Sequence, residues 1–303
     1  MSGFRLAAAQ FPVSQPQSFA EQAALISAWS AEAVTAGARL LVYPEYASMS
    51  FSALLDPALQ QNLGAQLEAL QGLREDYLAL HRELAQRHGV YILAGSFPWQ
   101  LDEACTVNRA FLCAPSGAVD WQDKQIMTRF ERESWGVSSA TDHEDSGLKV
   151  FRTALGMLAV NICYDSEFPL LARAQCEAGA ELILVPSCTD TLGGYHRVRV
   201  GSQARALENQ CYVAQAPLVG EAPWSQAVDV NVGAAAVYGP PDRGFPDDGV
   251  LGIGTLNQPQ WLYAEIDPAA VLRVRNEGQV FNHRHWHEQG AVELPPVKTV
   301  DLE

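Results

Sequence analysis

The chain has 303 residues, 48% of them hydrophobic and 18% charged, with a formal net charge of −15. That is ample apolar material for a large core and too little charge for a disordered, solvating chain. The excess of carboxylates excludes sequence-independent nucleic-acid binding and docking on anionic membranes, both of which need Lys and Arg to face phosphate.

Short apolar runs alternate with longer amphipathic ones along the whole chain. The opening MSGFRLAAAQ reads as a first strand over 4–10 and is too short for a signal peptide. A helix follows over 19–36, then a strand over 39–43, a helix over 65–88 and strands over 90–96, 108–114 and 118–124. Next come a strand over 157–162, a helix over 169–178, a strand over 182–186 and a helix over 198–209. Strands over 211–216 and 262–266 and a helix over 268–276 complete the series. Gly37, Gly89 and Gly179 stand just past three of the helices, where a left-handed C-terminal cap is wanted. Strands alternating with helices indicate α/β architecture. The Gly- and Pro-rich stretch 230–260 reads as an ordered loop with strand fragments. Residues 1–280 are expected to form one domain, and 281–303 a C-terminal extension that ends in an extended arm over 288–303. No stretch approaches the roughly 20 apolar residues of a membrane helix. The expected location is the cytoplasm, where the six cysteines would stay reduced and mostly act as small buried hydrophobes. No CxxC pair occurs, so nothing supports a structural zinc site.

Chemistry concentrates at three strand ends. Cys163 follows the apolar run 157–162 and precedes a helix that begins near Pro169. At such a strand-to-helix turn the side chain projects, and the following backbone N–H groups can converge on an oxyanion. Glu45 follows the strand ending Val42-Tyr43-Pro44, at the sheet edge where catalytic groups gather in α/β folds. Lys124 ends the strand Trp121-Gln122-Asp123 and could supply a fixed positive charge. Each feature alone is commonplace.

Together, and in this order, they resemble the nitrilase superfamily of carbon–nitrogen hydrolases, from about Phe4 to Glu277. The resemblance is carried by Tyr43-Pro44-Glu45, Asp123-Lys124, Ile162-Cys163-Tyr164-Asp165 with Phe168-Pro169, GAELILVPS over 179–187, and RALEN over 205–209. The stretch 123–136, with Trp135-Gly136, most resembles an amidase-like branch of uncharacterised bacterial members, some fused to acetyltransferase domains. The resemblance implies a four-layer αββα sandwich with two mixed sheets face to face. It implies Cys163 as nucleophile, Glu45 as general base, and Lys124 with the backbone N–H of Tyr164 as oxyanion partners. Glu131, in a K-x-x-x-T-x-x-E-R pattern formed by Lys124, Thr128, Glu131 and Arg132, is expected to position Lys124 or the substrate, with Glu133 as its rival. The implied reaction is hydrolysis of a small amide through a cysteine thioester, releasing ammonia. Nitrile hydrolysis and thioester-dependent acyl transfer are the alternatives, and a non-catalytic binding protein is a third. True nitrilases carry Trp-Glu after the cysteine, where this chain has Tyr164-Asp165. No metal or cofactor is implied. A homodimer or larger homo-oligomer is, with Arg205, Glu208 and Asn209 supporting the fold near a subunit contact.

The substrate pocket is expected in the loops 47–55, 130–138, 186–196 and 231–236, with Phe51, Trp135, Tyr164, Ser187 and His196 as contacts. Few basic residues occur there besides Arg129, Arg132 and Arg197, which argues against a strongly anionic acyl group. His283, His285 and His287 alternate as metal ligands on a strand would. They lie outside the matching motifs and are read as a solvated or subunit-contact segment.

Overall fold

The first strand, β1 (Phe4–Pro12), is buried on both faces, and its alternation sorts the chain into layers. In the computed structural model, which describes residues 3–139, 146–289 and 299–300, Phe4, Leu6 and Ala8 join one apolar cluster with Leu158, Leu182 and Leu184. Ala7, Ala9 and Phe11 point the other way and pack with Ile26, Ala33 and Leu84.

Parallel to β1 run β2 (Ala38–Val42) and β3 (Tyr91–Asp102), followed by the antiparallel β4 (Cys105–Cys113) and β5 (Val119–Asp123). The second sheet contains β6 (Phe151–Thr153), β7 (Gly156–Val160), β8 (Leu182–Ser187) and β9 (Tyr212–Glu221), with β7, β8 and β9 parallel. β10 (Val230–Asn231) and β11 (Ala236–Tyr238) pair antiparallel with β9, and β12 (Val250–Ile253) with β11. β13 (Gln260–Ile266) lies antiparallel to β1. The two sheets meet where Phe11 and Pro12 pair with Leu218 and Val219.

The helices are α1 (Phe19–Thr35), α2 (Pro57–Gln60), α3 (Leu63–Leu70), α4 (Arg74–His88), α5 (Pro169–Glu177), α6 (Leu192–Asn209), α7 (Pro268–Glu277) and α8 (Asn282–His285). α1 and α4 cover the first sheet, and α5 with α6 covers the second. The fold is therefore α/β in four αββα layers, with two mixed sheets face to face. No helix among the described residues is long and apolar enough to cross a membrane.

Several local expectations need correction. The helix expected over 65–88 is broken by a tighter helical turn at Gln71–Leu73, where the Gln71 side chain donates to the Pro98 carbonyl and accepts the Gln100 N–H of β3. β3 and β4 are longer than expected and form a hairpin through Asp102 and Cys105. The helix expected to start at 198 starts at Leu192, because Thr191 caps it by accepting the Gly194 N–H at 3.1 Å. The Gly193-Gly194 pair hid that turn. The three clustered histidines lie on α8 and the helical turn Trp286–Gln289, not on a strand, so their alternation does not place them on one face. Most of the expected arm over 288–303 lies outside the described residues.

Candidate active site

Four strands, β2, β5, β7 and β8, deliver residues to one edge of the sandwich. After β2 the chain turns at Pro44-Glu45, and Tyr46 takes a left-handed φ of 55°. This turn is held by β3: Ser96 Oγ accepts the Tyr46 N–H at 2.9 Å, and Ser48 Oγ donates to the Ser96 carbonyl at 2.9 Å. Gly95 has φ 78° and lies against the Pro44 carbonyl, where a Cβ would collide. Glu45 is thereby fixed inward and is 1% exposed.

Lys124 follows β5, and its Nζ lies 2.8 Å from Glu45 Oε1 and 2.9 and 2.7 Å from the two oxygens of Glu131. Glu131 is held by its own turn. Thr128 donates to Glu131 Oε2 from both its backbone N–H and its hydroxyl, each at 2.8 Å. The Tyr46 hydroxyl donates to Glu131 Oε1 at 2.7 Å. Asn108 Nδ2 bridges the two carboxylates, 2.8 Å from Glu45 Oε1 and 3.2 Å from Glu131 Oε1. Glu133, the rival by sequence, is exposed and pairs with Arg129.

Cys163 stands at the head of the helical turn Cys163–Glu167, with a left-handed φ of 50° rare for a residue with a side chain. Asp165 fastens this elbow to the Lys124 loop. Its carboxylate accepts the N–H groups of Gln125, Ile126 and Ile162, the Ile126 bond being 2.8 Å. Ser166 Oγ donates to the Cys163 carbonyl, and Arg205 of α6 to the Ser166 carbonyl. The Cys163 thiol points to the carbonyl of Cys188 at 3.7 Å, and the Cys188 N–H donates to Glu45 Oε2 at 2.9 Å.

Burial pushes the Cys163 thiol well above its ordinary pKa; the charge of Glu45 adds to this and Lys124 opposes it. Burial also raises Glu45, with Lys124 opposing and Glu131 reinforcing. For Lys124 burial works against the charge, but Glu131 and then Glu45 outweigh it and hold the pKa well above the usual value. Glu131 is held below the carboxylate range because Lys124 overcomes its burial. The site thus sets a fixed Lys124–Glu131 ion pair beside a more basic carboxylate, Glu45, and a buried thiol, Cys163.

These groups form the floor of a cavity of about 430 Å3. Of the expected substrate contacts, Tyr164 and Trp135 line it. The other three do not. Phe51 sits in the helical turn Ala47–Leu54, which turns it into the core against Phe19 and Tyr77. Ser187 belongs to β8 and is buried outside the lining. His196 is carried by α6 to a separate shallow cavity beside Val200 and Ala204. Cavity walls expected from 231–236 come instead from Gln226, Ala227, Asp229 and Val230.

The sequence pattern did not single out Asn108, Tyr46 or the backbone of Cys188. A polar Asn inside an apolar strand was the one available signal. Arg205 is buried and tied to Glu208 and the elbow, in keeping with a role in the fold.

Comparison with known proteins agrees with this architecture. The carbon-nitrogen hydrolase family profile matches residues 5–275. The chain is 31% identical to "Probable hydrolase YhcX" of Bacillus subtilis, over 91% of this chain and 52% of that protein. It is 27% identical to "Omega-amidase NIT2" of Xenopus tropicalis, over 71% of this chain and 75% of that one. The chain spans about half the length of the first curated relatives it matches. Its fold is similar to the crystal structure of a carbon-nitrogen hydrolase from Helicobacter pylori G27, with a TM-score of 0.73 at 18% identity, covering 96% of this chain and 95% of that one. The chain belongs to the carbon-nitrogen hydrolase family.

Proposed function

We propose that this protein hydrolyses a small amide through a thioester on Cys163. The observation that carries the reading is the convergence of Glu45, Lys124 and Cys163, each at most 4% exposed, on the floor of one cavity. Glu45 takes the thiol proton, and the thiolate attacks the amide carbonyl carbon. Lys124 and the N–H of Tyr164, at the open first turn after Cys163, hold the oxygen as it becomes an anion; such a donor contributes ~3–4 kcal/mol. Glu45 returns the proton to the departing nitrogen, and ammonia leaves. It then deprotonates a water, which attacks the thioester to release the carboxylic acid and regenerate the thiol. Glu131 acts through Lys124 and is a positioning residue.

Relatives named as amidases support the choice of amide over nitrile. A test is the stoichiometry of products from short amides: ammonia and acid in equal amounts, abolished in Cys163→Ala with an unchanged circular dichroism spectrum. Undiminished ammonia release by the variant would remove Cys163 from the mechanism. Acyl transfer would be recognised by product formed with added hydroxylamine exceeding hydrolysis.

The same reading includes a homodimer or larger assembly. Leu170 on α5 and Val200 and Leu207 on α6 are exposed apolar side chains on the outer helix layer, which supports burial against a second copy. A monomer mass in light scattering would contradict it. A cytoplasmic location is supported by six unpaired cysteines. Residues 281–303 are proposed as an extension of the domain, since the family match ends at 275.

A further inference from the structure

We infer that the cavity takes amides whose non-reacting end carries a positive charge. The inference rests on the amide-hydrolase reading and adds the charge class of the substrate. Five carboxylates line the cavity against three cations. Each cation already faces a carboxylate. Lys124 is shared by Glu45 and Glu131, Arg129 bonds Glu133 at 2.7 Å, and Arg197 faces Glu167 at 3.5 Å. Two lining carboxylates remain, Asp190 and Asp229, and neither meets a cation among the described residues. Asp229 Oδ1 accepts only the neighbouring Val230 N–H, at 2.9 Å.

The two aspartates come from different segments that the fold clasps together. Thr189 donates its hydroxyl to the Val232 carbonyl at 2.7 Å, and its own carbonyl accepts the Val232 N–H at 2.8 Å. The clasp ties the segment of Asp190, which follows Thr189, to that of Asp229, three residues before Val232, and both aspartates line the cavity. The N-terminus of α6 beside Asp190 offsets part of its charge; Asp229 has no such neighbour. Phe130, 39% exposed, and Tyr164 add aromatic surface to the same cavity, and ring faces also attract cations. An ammonium or guanidinium group meets these unpaired carboxylates, while an anionic group entering the cavity meets an excess of like charge.

The test compares three amides of matched length: 5-aminopentanamide (cation), hexanamide (neutral) and glutaramate (anion). Ammonia release gives kcat/KM for each. The expected order is cation, neutral, anion, with about tenfold between the first two at low ionic strength, shrinking as salt screens the charges. In the Asp190→Asn, Asp229→Asn double variant the cation-to-neutral ratio is expected to fall to within about twofold. Melting temperature checks that the variant is folded, and each single variant gives an intermediate ratio if the double one is not. A wild-type preference for hexanamide or glutaramate overturns the charge assignment and leaves the hydrolase reading intact, as does a preference that survives the double substitution. No ammonia and no acyl adduct on Cys163 with any of the three overturns both.

Discussion

Lys124 and Glu131 meet through both carboxylate oxygens, at 2.9 and 2.7 Å, and neither side chain is more than 3% exposed. Because Thr128 and Tyr46 also bond the Glu131 carboxylate, the ammonium is held without needing Glu45, its second partner. Glu45 is therefore free to gain and lose a proton while the positive charge stays in place.

This relationship predicts a sharp contrast between two glutamates close in sequence. Glu131→Gln is expected to lower kcat/KM by about a hundredfold, the scale of losing a supporting partner in a preorganised site. Glu133→Gln breaks only an exposed pair with Arg129 and should change it by less than about twofold. Steady-state ammonia release from both variants checks this. Equal effects would show that Glu131 has no special part.

The pH profile should report Glu45. Burial lifts its pKa above the ordinary carboxylate value, and the reaction needs the ionised form to accept the thiol proton. Activity is expected to rise with pH through an acid limb above the usual carboxylate range. Asn108 donates to Glu45 Oε1, favouring the ionised form. Asn108→Ala should move the limb to higher pH, whereas a limb that stays put would assign it to another group.

Much of this site was legible because three groups at strand ends stand in an order that resembles the nitrilase superfamily, and the roles came from that resemblance. Pro44-Glu45, Asp123-Lys124 and Cys163 each follow an apolar run, and strands ending at a common sheet edge bring such residues together. The supporting groups were not legible in the same way. Asn108 lies inside β4, where the β4–β5 register sets it beside Lys124, and its side chain bridges Glu45 and Glu131 only once the strands are assembled. Cys188 contributes backbone atoms, which carry no residue signature. Phe51 and His196 were misplaced for one common reason: segments read as loops are helical, and helical turns carried Phe51 into the core and His196 to another cavity. Charge pairing across the cavity mouth depends on tertiary contacts that spacing does not encode.

Asp165 offers a stability prediction. Burial, opposed by Lys124 and by backbone N–H donors, raises its pKa from 3.8 to about 7. A carboxyl group raised on folding binds its proton more tightly in the native state than in the unfolded one. Its stabilising contribution is thus complete below the unfolded value near 3.8 and is lost as pH rises through about 7. Urea midpoints of the wild type should fall between about pH 4 and pH 7, and Asp165→Asn should flatten that slope whatever its baseline stability. Parallel slopes for the two proteins would contradict the assignment.

The elbow also depends on close approach of α6. A Cβ on Gly201 would lie 2.8 Å from the Ser166 carbonyl oxygen, and backbone cannot yield as a flexible side chain does. Gly201→Ala is expected to cost about 1–3 kcal/mol of stability. It should also reduce kcat more than it changes KM, because the displaced Ser166 hydroxyl donates to the Cys163 carbonyl. A melting curve and steady-state kinetics measure the two effects, and unaltered values in both would show that α6 can shift without disturbing the nucleophile.

The most direct test of the central claim is intact-protein mass spectrometry after brief exposure to short amides, with Cys163→Ala and Glu45→Gln alongside the wild type. The account predicts a transient acyl adduct on the wild type with ammonia released, no adduct on Cys163→Ala, and none on Glu45→Gln, since that variant cannot deprotonate the thiol. An adduct that forms on Cys163→Ala, or amide hydrolysis by a wild type that never carries the acyl mass under rapid quench, would contradict the thioester mechanism.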